Sequence, residues 1–99
     1  MNLVKGLKAV ASVRRLRILE LLRRNKVGKT GERGLSATEL RMQLGLSQPA
    51  LNEQMQVLLD VGLVESRHVG RWVIYTRDEE RIRQLRQTIT DQLLPPVAP

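Results

Sequence analysis

Gln48 and Asn52 stand four positions apart, with Glu53 and Gln56 beside them, in a stretch whose leucines turn the other way. A side-chain amide holds a donor and an acceptor in one plane, the pair that an adenine edge presents in the duplex major groove. A carboxylate such as Glu53 either accepts from cytosine or repels phosphate. Arg41, Arg67 and Arg71 lie before and after this run, and guanidinium forks suit phosphate oxygens. This is chemistry of recognition, and bond-making chemistry has little to work with. The chain has no cysteine, so a disulfide, a thiolate metal site, a catalytic thiol and a cysteine redox switch are all excluded. Its single histidine, His68, follows Arg67 on an expected strand, and one imidazole without a second soft ligand is a poor zinc site. No Ser or Thr has a His or Lys in a recognisable nucleophile arrangement. Gly28-Lys29-Thr30 resembles the end of a phosphate loop, but the upstream glycine and preceding strand are missing. No catalytic residue, no metal ligand and no cofactor is expected, and the chain is not expected to be an enzyme.

The elements that must carry these residues follow from periodicity. Leu51, Met55, Leu58 and Leu59 fall at i, i+4, i+7 and i+8, which predicts a helix over about 48–61 with Ser47 as its cap and Gly62 at its end. Before it, Ser36-Ala37-Thr38-Glu39 has the spacing of a capping box and opens a helix over 37–44, and Gly45 supplies a left-handed position. Residues 37–61 therefore read as a helix-turn-helix. From Leu63 the period changes to two, a turn falls at Val69-Gly70, and residues 63–77 read as a hairpin. Two helices precede this unit, over about 2–11 and 13–24. In the second, Ser12 is the expected cap and Val13, Leu16, Ile18, Leu19 and Leu22 the expected apolar face, with its arginines in water. Residues 25–34, with three glycines and almost nothing to bury, read as a flexible basic loop. Asp78 caps a last helix with Ile82, Leu85, Ile89 and Leu93 in one stripe, and Pro95-Pro96 stops it, leaving 95–99 as an expected disordered tail.

Ninety-nine residues, 41% hydrophobic and 27% charged, make one domain over 1–94 rather than two. Two short helices around a glycine turn, followed directly by a two-stranded hairpin, are the pattern of a winged helix-turn-helix. The fold class is α+β, mainly α, in the order α-α-α-α-β-β-α. With Trp72, Tyr75 and no Phe, the core must be aliphatic and a base-stacking platform for single strands has almost no rings to use. No apolar run approaches the ~20 residues of a membrane span and the start lacks a signal core, so a cytoplasmic chain with no membrane partner is expected. The net charge of +7 is unevenly spread. Residues 1–34 carry ten bases and two acids, whereas residues 35–62 carry one base and three acids. The expected reader is not itself basic.

Several blocks resemble the ArsR/SmtB bacterial repressors. Val13-Arg14-Arg15-Leu16-Arg17-Ile18-Leu19-Glu20-Leu21-Leu22 is similar to that family's opening helix signature. Leu35 to Leu40, Leu44 to Leu51, Val57 to Val64 and Gly70 to Tyr75 are similar to its later blocks, so the resemblance spans about residues 3–94. It implies homodimers paired through the first and last helices, here Leu3, Leu7 and Val10 with Ile82, Leu85, Ile89 and Leu93. It also implies binding to inverted-repeat operators and release on a signal. The family's metal sensors use cysteines in the third helix or a His/Asp/Glu set on the last, and both are absent here. On the fourth helix, Asn52, Glu53 and Gln54 stand where the family usually has Ser, a variable or basic residue, and His. The expected DNA-facing set is Arg41, Ser47, Gln48, Pro49, Asn52, Glu53 and Gln54, with Arg67 and Arg71 on the wing.

Two functions follow. The first is a homodimeric, sequence-specific regulator of double-stranded DNA, a repressor that senses no metal. The alternative is a winged-helix protein-interaction module with weak, non-specific DNA binding. A regulatory small molecule or protein partner is compatible with either.

Overall fold

Each helix begins where a short polar side chain can satisfy a free backbone N–H. The computed structural model describes residues 2–93. Helix α1 (Leu3–Val10) starts at Asn2, whose side chain accepts from Lys5 N, and α2 (Val13–Arg24) starts at Ser12, which accepts from Arg15 N. Strand β1 (Leu35–Ser36) runs directly into α3 (Ala37–Leu44). There the Ser36 hydroxyl accepts from Glu39 N at 3.1 Å and the Glu39 carboxylate accepts from Ser36 N at 3.3 Å, so the capping box forms as expected. Gly45 stands at φ +66°, the left-handed position that turns the chain into α4 (Gln48–Asp60). Strands β2 (Val64–Val69) and β3 (Trp72–Arg77) follow, then α5 (Glu79–Leu93), whose first turn Asp78 caps by accepting from Arg81 N at 2.9 Å. Gly70, at φ +57°, takes the first place of the two-residue hairpin loop, so the turn is Gly70-Arg71, one residue beyond its expected place.

The architecture is the expected winged helix-turn-helix, with one strand more than periodicity showed. The sheet is antiparallel in the order β1-β3-β2, with Leu35 opposite Tyr75 and Ser36 opposite Ile74. Successive residues of β3 face opposite ways, yet Ile74 and Tyr75 are both buried. Tyr75, Leu35 and Val64 join the helical core with Ile18, Leu40, Leu51, Met55, Leu58 and Leu63. On the other face, segment 25–34 comes so close to Ile74 that a Cβ on Gly34 would lie 3.1 Å from Ile74 Cγ2.

That segment is not the loose loop its composition suggested. Val27 bridges Arg33 and Gly34, Gly34 N donates to Lys26 O at 2.8 Å, and Lys29 N donates to the Glu39 carboxylate at 3.1 Å. Its job is done by backbone groups, which is why the lack of apolar side chains misled. The apolar face of α2 also needs correcting. Ile18, Leu19 and Leu22 are buried, but Val13 is 86% and Leu16 51% exposed. At about 100° per residue the face that holds 18, 19 and 22 also holds position 15, whereas 13 and 16 point away from it. Arg15 thus takes the inward place assigned to Val13 and Leu16.

Candidate nucleic-acid interface

The turn between α3 and α4 is held by Arg41. Its carbonyl accepts from Leu46 N at 3.1 Å, and its Nε reaches back to Leu46 O at 3.4 Å. The half-buried guanidinium is therefore partly committed to the turn. Ser47 caps α4 through its hydroxyl, which accepts from Ala50 N at 3.2 Å, and Pro49 in the first turn costs no helical hydrogen bond. Gln48, Pro49, Asn52 and Glu53 are all exposed. Gln48 Nε2 donates to Asn52 Oδ1 at 2.7 Å, so the two amides form one unit on the open side of α4.

Across from them stands the wing. Arg71 at the hairpin tip is exposed and lies over the Trp72 ring, 5.0 Å from its centroid, which fixes a long cation that would otherwise sample many rotamers. Gln48, Asn52, Arg71 and Trp72 line one open cleft of about 350 Å³, together with Ala37, Thr38, Val73 and Tyr75. Burial pushes the Tyr75 phenol above its ordinary value, so at neutral pH it remains uncharged. Thr38, Trp72 and Tyr75 were not singled out from the sequence. The signal for Trp72 was its place beside an arginine at a hairpin tip, and for Thr38 its place in the capping box.

Gln54, Arg67 and Arg77 are engaged elsewhere. Gln54 is half-buried and its Oε1 accepts from Arg15 Nη1 at 3.0 Å, so it faces α2 rather than the open cleft. Arg67 reaches across the sheet to donate to Arg33 O at 2.6 Å and lies 3.5 Å from Glu32. Arg77, whose side chain is 13% exposed, donates to Leu19 O at 3.1 Å and pairs with Glu79 at 2.9 Å. It braces the wing against α2 and has little left for phosphate. The basic loop lies at the far end of β3. There Arg23, Lys26, Arg33 and Arg77 surround a second cleft of about 460 Å³ with Leu22, Gly34, Thr76 and Glu79. Arg23 is shared with Glu20, at 2.6 Å, and together with Arg24 it holds the Glu20 carboxyl down to about 2.

Among the described residues no three His, Cys, Asp or Glu side chains converge, and no helix is long and apolar enough to cross a membrane. His68 is exposed on β2, opposite Val73. Helices α1 and α5 pack on each other within the chain. Leu3, Val10, Ile82 and Ile89 are partly buried there, Leu7 is half-buried, and Leu85 is 5% exposed in the protomer's own core. Val4 and Leu93 remain 59% and 63% exposed.

Comparison with known proteins agrees with this geometry. Residues 14–67 match a helix-turn-helix domain family, HTH_20. The solved structure of HlyU from Vibrio cholerae superposes with a TM-score of 0.67 and 34% identity, covering 90% of this chain and 89% of that one. The homodimeric winged helix-turn-helix DNA-binding domain of Mb0332 from Mycobacterium bovis, described as a possible ArsR-family transcriptional regulator, gives a TM-score of 0.68 and 26% identity, covering 93% and 81%. The chain belongs to the ArsR/SmtB family. Another regulator that it resembles, NmtR of Mycobacterium tuberculosis, is 33% identical over 79 residues, which are 80% of this chain and 59% of NmtR. The chain thus spans less than two thirds of NmtR's length. As a member of the ArsR/SmtB family, it has the helix-turn-helix and the wing, and its fourth helix carries Asn52, Glu53 and Gln54.

Proposed function

We propose that this chain is a sequence-specific, double-stranded DNA-binding transcription regulator that works as a homodimeric repressor on an inverted-repeat operator, without a metal cofactor. The observation that carries this is the shared cleft: the paired amides of Gln48 and Asn52 and the Trp72-stacked Arg71 open on one side of the molecule. An α-helix fits the major groove, so α4 can present its amides to base edges while Arg71 meets the flanking backbone. Phosphate contacts fix register and base contacts specify, and the cleft holds both kinds of group. In a dimer, two α4 helices would enter successive major grooves about 34 Å apart. Pairing through α1 and α5 is supported by the exposed Val4 and Leu93, by the only partial burial of Leu3, Leu7, Val10, Ile82 and Ile89 beside them, and by the homodimeric state of the Mb0332 domain. The absence of cysteine and the single, exposed His68 support regulation by something other than a bound metal.

The test is selection of bound sequences from a random duplex pool at near-physiological salt, with the protein's mass in solution measured by light scattering. An enriched inverted repeat bound by a particle of twice the chain mass is expected. Absence of any enriched motif, with affinity vanishing as salt rises, would overturn DNA reading in favour of a protein-interaction module.

A further inference from the structure

Arg15 was expected in water, and it instead joins the end of α1 to the middle of α4. Its Nε donates to Ala9 O at 2.5 Å and its Nη2 to Lys8 O at 3.0 Å, which satisfies two carbonyls in the last turn of α1 that have no helical partner. Its Nη1 donates to Gln54 Oε1 at 3.0 Å. A guanidinium holds its donors in one rigid plane, so the three bonds fix the two helices relative to each other and not merely to α2. Gln54 follows Asn52 by two positions, about 200° around the helix, so holding Gln54 inward keeps Asn52 and its partner Gln48 outward.

We propose that Arg15 is a positioning residue for base reading: through Gln54 it sets the rotation of α4 about its own axis, and it links the position of α1 to the reading amides. This rests on the DNA-reading function proposed above, and it assigns Gln54 to holding the reader in place rather than to touching bases. If α1 also pairs with a second copy, operator binding and dimer pairing become linked through this guanidinium, and such linkage is reciprocal.

A double-mutant cycle tests it, using the operator obtained by selection, a random duplex, and the wild-type, Gln54→Leu, Arg15→Met and doubly substituted proteins at one salt concentration. Gln54→Leu removes the bond to α4 and leaves both bonds to α1. It is expected to weaken operator binding about fivefold and random-duplex binding by less than about twofold, and to add nothing in the Arg15→Met background. Arg15→Lys keeps the charge but lacks the fork, so it should behave as Arg15→Met does, and it supplies the second background should Arg15→Met fail to fold. Equal losses from Gln54→Leu in both backgrounds would return Gln54 to direct base reading and overturn the proposal. Unchanged operator binding in Gln54→Leu would limit Arg15 to capping α1 and overturn it as well. A wild-type protein with no sequence preference would overturn the proposed function together with this inference, whereas a preference with an additive cycle would overturn the inference alone.

Discussion

The two ends of β3 differ in kind. At its start, Trp72 and Val73 face neutral amides and one stacked guanidinium, and at its end, Thr76 and Arg77 share a cleft with Arg23, Lys26, Arg33 and Glu79. About 16 Å of strand separates them. Four cations therefore gather at the end of the strand away from Gln48 and Asn52. Long-range attraction to a polyanion needs only net charge, but discrimination needs donors and acceptors held in place, and under the proposed function the two tasks would fall to different parts of one small sheet.

The comparison breaks most severely if the base of the wing is not rigid. Gly34→Ala would put a Cβ onto the Tyr75 carbonyl oxygen and 2.7 Å from Thr76 Cγ2, at a backbone φ of +105° that L side chains rarely adopt. A loss of about 2–4 kcal/mol of stability is expected from overlap and strain together, read as a lowered urea midpoint. A midpoint unchanged from wild type would mean that segment 25–34 does not pack on the sheet as described.

Next in size is the reading end. Gln48→Ala should lower discrimination between operator and random duplex by about 1–3 kcal/mol, with the random duplex bound nearly as before. Equal losses on both duplexes would remove Gln48 from base reading. Arg71→Ala should weaken both duplexes and flatten the dependence of log affinity on log salt by about 0.9, the contribution of one phosphate contact. The matching change at the other end, Arg33→Ala, should leave the operator salt slope within about 0.3 of wild type. A slope change as large as that of Arg71→Ala would place the basic cleft on the DNA path and dissolve the distinction.

The smallest effect is one of pH. The forked hydrogen bonds from Arg23 and the single one from Arg24 hold Glu20 down from 4.5 to about 2, and Arg83 lowers Glu80. A carboxylate whose folded value is depressed contributes stability that is complete above its unfolded value and is lost as pH falls through the folded one. Stability should therefore decline between about pH 4.5 and 2 in part through Glu20, and Glu20→Gln should flatten that part of a urea-midpoint profile. Because the pair is exposed, the flattening is small.

Much of the helix-turn-helix was legible because it is built from local rules. Ser36 and Glu39, Gly45, and Ser47 with the leucine spacing of 51, 55 and 58 each act within a few residues of chain, and each stands where those rules put it. The missed features depend on contacts between distant residues. Leu35-Ser36 is too short for any period to register, and it is a strand only because Tyr75 and Ile74 are there to pair with it. Arg15 was missed because polarity was weighed before position. The set 15, 18, 19, 22 is a regular inward stripe, and a long guanidinium can occupy it when carbonyls and an amide wait at the end. Gln54 was placed with the base readers by its family counterpart, and its half-burial turns it the other way.

The order of strands also has a kinetic meaning. The β2–β3 hairpin closes around Gly70-Arg71, whereas Leu35 meets Tyr75 only after thirty-nine intervening positions have been gathered in. Closing the longer loop costs more chain entropy, so the hairpin can assemble early and β1 docks onto a ready edge. The same asymmetry governs the folded protein at rest. Undocking β1 with segment 25–34 uncovers Leu35 and Ile74 but leaves the pairing of β2 with β3 intact, so within the sheet amide exchange should be faster along Leu35 and Ser36 than in the hairpin.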